Sequence, residues 1–181
     1  IVKAIENLAP IFANVYLPRL SSLQHDMAAC GRNYLHLVSL MFVAGLSVFL
    51  VFLMVDERLI TLLLGHKYAG ISSLFPLLGI FLFCSFITVS QGVMATAFGL
   101  QRYRMYAGVI SLLLLAVCSV SFIHWFQLAG AVMANIVVTI FLLLFFSLLL
   151  YFKKIRLKAG LFPVTCFVAV MTLLTSILAR A

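Results

Sequence analysis

Charged side chains are absent from four long stretches of this chain. No Asp, Glu, Lys or Arg occurs from Leu35 to Val55, from Ala69 to Gln101, from Met105 to Phe152, or from Ala159 to Ala179. A helix rises 1.5 Å per residue, so about twenty apolar residues cross the roughly 30 Å hydrocarbon layer of a bilayer. The pattern therefore predicts an all-α, polytopic integral membrane protein of about six transmembrane helices. The first runs from about Val2 to Leu17 and stops at Pro18, the second covers Tyr34 to Val55, and the third Gly70 to Ala97. The run from Met105 to Phe152 is too long for one span and divides near Gln127-Leu128-Ala129-Gly130. That gives a fourth helix from Tyr106 to Phe126 and a fifth from Ala131 to Phe152. Pro163 suits the first turn of a sixth, ending near Leu178.

The connecting segments set the orientation. Arg19 and Arg32 follow the first helix, Arg102 and Arg104 the third, and Lys153, Lys154, Arg156 and Lys158 the fifth. The intervening loops hold only Arg58 and Lys67, offset by Asp56 and Glu57, or no charge at all. Basic loops stay cytoplasmic, so the first helix is expected to enter from outside. Tyr16, Tyr34, Tyr68, Tyr103, Tyr106, Trp125 and Tyr151 fall near predicted helix ends, the headgroup zone that amphipathic rings favour. The segment Asp56 to Tyr68 is too short to span. It is read as a helix lying in the interface, ended by Gly65.

Composition agrees: 66% of residues are hydrophobic and 9% charged. The net charge of +8 is spread over several loops, so it marks orientation and not a nucleic-acid surface. Cys30, Cys84, Cys118 and Cys166 have no paired spacing and are read as small packing residues. No signal peptide is visible. The chain starts at Ile1 inside a polar-tinged helical segment, which suggests a piece of a longer protein.

The first helix carries the most unusual chemistry. Lys3, Asn7, Pro10 and Asn14 share one face at 100° per residue, with Glu6 about 60° to one side. A charged side chain facing lipid costs roughly 2.5–3.5 kcal/mol on insertion scales, so this face is expected to meet a wet cavity. Lys3 and Glu6 have an equal claim to a place in the headgroup zone, where Lys3 would snorkel. Ser85, Thr88, Gly92 and Thr96 form a stripe of small residues on the third helix, for which close helix packing is the preferred reading. Gln91 lies off that stripe and Asn135 opens the fifth helix; each is a candidate cavity group. The histidines His25, His36, His66 and His124 show no metal spacing. The only acidic pair, Asp56-Glu57, sits at a helix end where charges are ordinary, and no phosphate loop or metal set points to an enzyme, a cofactor or a metal.

The order of several segments is similar to a known family. Tyr16-Leu17-Pro18-Arg19-Leu20-Ser21-Ser22-Leu23 closes a helix, and Leu62-Leu63-Leu64-Gly65-His66-Lys67-Tyr68 follows the second. Phe98-Gly99-Leu100-Gln101-Arg102-Tyr103-Arg104 comes after a small-residue stretch, and Leu128-Ala129-Gly130-Ala131-Val132-Met133-Ala134 joins a helix pair. This resembles the carboxy-terminal portion of polysaccharide-biosynthesis exporters, the O-antigen (Wzx-type) flippases of the multidrug/oligosaccharidyl-lipid/polysaccharide superfamily. The resemblance implies a two-lobe, MATE-like transporter of the cell inner membrane. Residues 1–152 would supply five helices of the second lobe, and 153–181 a basic cytoplasmic loop and one further helix. The amino-terminal lobe, or a partner subunit in its place, would complete the cavity. The implied activity is the flipping of undecaprenyl diphosphate-linked oligosaccharide repeat units for O-antigen, capsule or exopolysaccharide. The expected partners are this lipid-linked oligosaccharide, membrane lipid, and a proton or sodium ion as coupling ion. In that scheme Lys3 attracts the diphosphate, Glu6 positions Lys3 or couples to the ion, and Asn7, Asn14, Gln91 and Asn135 bind sugars. A multidrug antiporter of the same superfamily is the alternative. A membrane polysaccharide polymerase or glycosyltransferase ranks below it, because no long outer loop carries acid–base residues.

Overall fold

The structure, a computed structural model, describes residues 2–23, 26–55, 57–65, 71–72 and 74–152. All regular structure among these residues is helical: α1 (Val2–Glu6), α2 (Leu8–Ser22), α3 (Met27–Leu53), α4 (Glu57–Leu64), α5 (Phe75–Ala97) and α6 (Gln101–Phe152). Three of them, α3, α5 and α6, are long and apolar enough to cross a membrane. The expected sixth helix, its basic loop, Tyr68, His25, His66 and Cys166 lie outside the described residues.

The α6 helix is broken at Gln127, whose backbone leaves the helical region (φ 50°, ψ −123°). It therefore consists of two arms, 101–126 and 128–152, divided where the sequence predicts a boundary. Gly130 lies where the arms meet: a Cβ built there would run into the Phe122 carbonyl. Only a residue without a side chain permits that approach.

Several boundaries differ from expectation. The first predicted helix is two, broken at Asn7, and neither reaches the length of a span. Pro10 has no N–H to return to the Glu6 carbonyl, which weakens the helix at that turn. Pro18, read as a stop, lies inside α2. The helix runs one more turn, and Ser21 and Ser22 donate to the carbonyls of Pro18 and Arg19 (2.9 Å each). The α3 helix starts at Met27, well before Tyr34, because the Asp26 carboxylate accepts from the Ala28 and Ala29 amides (3.0 Å each). Such a cap satisfies donors that a helix start leaves unpaired. Arg32 is therefore helical and not in a loop. Tyr34, expected at the headgroups, is fully buried. The short segment after α3 is the helix α4, and Gly65 ends it in the left-handed conformation (φ 92°).

The α5 helix is the hub, packing against α1, α2, α3 and α6. Its apolar window is 67% buried, against 33% for α3 and α6. Gly45 of α3 sits under Phe83 and Phe86 of α5, and Gly79 of α5 under Phe49 and Phe52 of α3, with gaps of 3.0–3.3 Å to an added Cβ. This reciprocal Gly–Phe fit runs the two helices antiparallel and close. On the other side, Gln91 of α5 bonds Ser147 of the second α6 arm, while Leu78 and Leu128 border one cavity; α5 and this arm run parallel. The first arm shows solvent a continuous apolar face that includes Leu112, Leu113, Val117 and Val120. Such a face is suited to acyl chains and not to water.

Candidate functional site

The turn from α5 into α6 fixes one end of the site. Leu100 N–H donates to the Ala95 carbonyl (2.9 Å) and Gly99 N–H to that of Thr96 (3.0 Å), with Gly99 at φ +69°. This pair of bonds is a Schellman cap, and it needs a residue at ease with positive φ. Because the corner is so short, Arg104 lies one helical turn beyond it and folds back along α5. Its Nη1 donates to Thr96 Oγ1 at 2.7 Å, while Thr96 Oγ1 itself donates to the Gly92 carbonyl (2.8 Å). The guanidinium lies over Gly92, with Cζ and Nε 3.8 and 3.9 Å from where a Cβ would be.

A chain of cavities runs from this corner along α5. One of about 350 Å³ is bordered by Glu6, Ser85, Thr88, Gly92, Arg104, Asn135 and Thr139. It shares Glu6, Phe81 and Asn135 with a second of about 310 Å³, which ends at Lys3, Leu78 and Leu128. In the other direction it shares Val89 and Arg104 with a third of about 110 Å³, bordered by Pro10, Asn14 and Leu17. Together they form a groove between α1–α2 on one wall and α6 on the other, with α5 as its floor. From Leu78 to Thr96 the α5 helix rises roughly 27 Å, close to the hydrocarbon thickness of a bilayer, and its polar stripe from Ser85 to Thr96 covers roughly 17 Å of that.

The floor is the stripe Ser85, Thr88, Gly92, Thr96. It lines the groove, which corrects its reading as a packing face; the packing glycines are Gly45 and Gly79 instead. Thr88 and Thr139 donate their hydroxyls to the carbonyls of Cys84 (2.9 Å) and Asn135 (2.8 Å). Their remaining lone pairs leave the groove rich in acceptors, with Lys3 and Arg104 as its cationic donors. Asn135 is held in place by a bond from Nδ2 to the Ala131 carbonyl (2.8 Å).

Of the six residues proposed from sequence, Lys3, Glu6, Asn14 and Asn135 border these cavities. Asn7 is exposed at the break between α1 and α2 and borders none of them. Gln91 corrects the expectation that it meets a cavity. It is fully buried between α5 and the second α6 arm, where Nε2 donates to Ser147 Oγ at 2.7 Å. Arg104 and Thr139 were not proposed. Arg104 counted only toward orientation, although its spacing from Thr96 across Gly99 was the available signal. Cys30 and Cys84 are buried and unpaired, as packing residues are.

Apolar helices of alternating direction around one polar, charged groove define a helical membrane protein. Residues 2–73 match the family model described as "Polysaccharide biosynthesis protein". The matched segment contains α1 to α4, and with them the Lys3–Glu6–Asn14 wall of the groove. The match supports a polysaccharide-biosynthesis family and is consistent with a role in that process. No curated protein and no solved structure matches the chain.

Proposed function

We propose that the chain forms one wall of a flippase that carries undecaprenyl diphosphate-linked oligosaccharide repeat units across the inner membrane, for surface polysaccharide such as O-antigen. The observation that carries this reading is the groove: its α5 side runs about as long as a bilayer is thick and is polar over roughly 17 Å from Ser85 to Thr96, with Lys3 at one end and Arg104 toward the other. An oligosaccharide diphosphate cannot cross hydrocarbon unaided, because each polar group left without a partner there costs several kcal/mol. The groove supplies partners while the prenyl tail stays in lipid. Alternating access then requires a second wall, from an amino-terminal lobe or a partner subunit, that rocks against this one. Lys3 attracts the diphosphate, Asn14 and Asn135 offer amides to sugar hydroxyls, and Glu6 positions Lys3 or takes up a coupling proton or sodium ion. No bond is made or broken in this scheme. The test is the full-length protein carrying Lys3→Ala or Glu6→Ala, expressed at its normal level. Loss of surface polysaccharide is expected. Unchanged polysaccharide with both substitutions contradicts the proposal.

A further inference from the structure

Arg104 stands at the junction of the 350 Å³ and 110 Å³ cavities and borders both. Two features hold its guanidinium there. The Gly99 corner brings its backbone alongside Thr96, and the Thr96 hydroxyl accepts from Nη1 at 2.7 Å. A guanidinium has five donors. The acceptor that positions this one is a neutral hydroxyl, which leaves its positive charge uncompensated by that bond. Planar, bidentate recognition of phosphoryl oxygens is what such a group does best. Lys3 borders the cavity at the opposite end, beside Leu78 and Leu128. Lys3 and Arg104 therefore border different cavities of the groove, Lys3 the 310 Å³ one and Arg104 the other two.

We infer that Arg104, braced by Thr96, is a second phosphoryl-binding station separate from Lys3, so that the anion is held first in one cavity of the groove and then in another. The inference rests on the proposed flippase function for the source of the phosphoryl group. The chemistry alone would equally accept a free diphosphate.

The competing explanation is that Arg104, like Arg102, is only a charge that fixes orientation. The experiment uses purified full-length protein with two probes: inorganic diphosphate in a binding titration, and a fluorescent polyprenyl diphosphate-linked oligosaccharide in a proteoliposome flipping assay. In a Lys3→Ala background, which silences the other station, Arg104→Gln is expected to weaken diphosphate binding roughly tenfold or more, the scale of a lost charge-assisted contact. Arg104→Lys should lose less, since it keeps the charge but not the fork. Arg102→Gln removes the same formal charge from the same turn and should stay within about twofold. Thr96→Val should cost roughly threefold through lost positioning and Thr96→Ser should restore binding; Thr96→Ser and Arg104→Lys also report on folding. Equal diphosphate binding with and without Arg104→Gln in the Lys3→Ala background overturns the station, as does an equal loss with Arg102→Gln. If wild type flips the lipid-linked probe and Arg104→Gln leaves diphosphate binding unchanged in that background, the flippase reading stands and the station falls. If Arg104→Gln loses diphosphate binding while wild type flips nothing, the station stands for a free anion and the flippase reading falls.

Discussion

Single residues shape the groove through the backbone as much as through charge. Gly99 adopts φ +69° with nothing within 4 Å of an added Cβ, so an alanine there meets no neighbour but strains its own backbone. Gly99→Ala should destabilise the protein by about 1 kcal/mol, read as a lower unfolding midpoint in detergent, and loosen Arg104 with it. An unchanged midpoint would mean the corner is not strained. Gln91 makes the opposite case, a polar residue whose partner is structural. Ser147→Ala removes the hydroxyl that accepts from its Nε2 inside an apolar contact and should cost about 1–3 kcal/mol. Gln91→Met keeps the volume without the polar atoms, and it should fold normally and preserve flipping. Loss of transport with normal folding in Gln91→Met would return Gln91 to the substrate path.

At the scale of elements, the bundle is set by where glycine lets helices close and where apolar faces meet lipid. Phe49 and Phe52 come within 3.0–3.1 Å of a Cβ built at Gly79. Gly79→Leu should therefore force α3 from α5 and cost about 1–3 kcal/mol, seen as poor yield and early unfolding; unaltered stability would contradict the packing. The helices themselves were legible because missing charge is a long-range signal that local chemistry does not blur. Their ends were not. Pro18 did not stop α2, because one lost N–H is a local defect and two serine hydroxyls cap the carbonyls beyond it. Arg32 and Asn33 looked like loop residues, yet the Asp26 cap starts α3 ahead of them, and Asn33 turns its amide onto the Ala29 carbonyl (2.9 Å). The groove was half legible. The Lys3–Glu6–Asn14 face could be read on a helical wheel, while the stripe on α5 has the same spacing whether it packs or lines a cavity. Only the third dimension separates the two roles, by seating α3 on the phenylalanine side of α5.

Across the whole molecule, the groove divides the surface into wet and lipid-facing parts, and the division is measurable. Cysteines placed at Ser85, Thr88 and Asn135 should react with a membrane-impermeant thiol reagent in intact membranes, while cysteines at Leu113, Val117 and Val120 on the first α6 arm should not. The reverse pattern would turn the bundle inside out. On the proposed function, this groove carries a lipid-linked anion from one leaflet to the other. Its most direct test is flipping of a fluorescent undecaprenyl diphosphate-linked oligosaccharide by the full-length protein in proteoliposomes, with Lys3→Ala and Glu6→Ala beside wild type. Wild type is expected to move the probe between leaflets and both substitutions to slow it at unchanged protein content. Equal rates in all three, or none above protein-free liposomes, would contradict it.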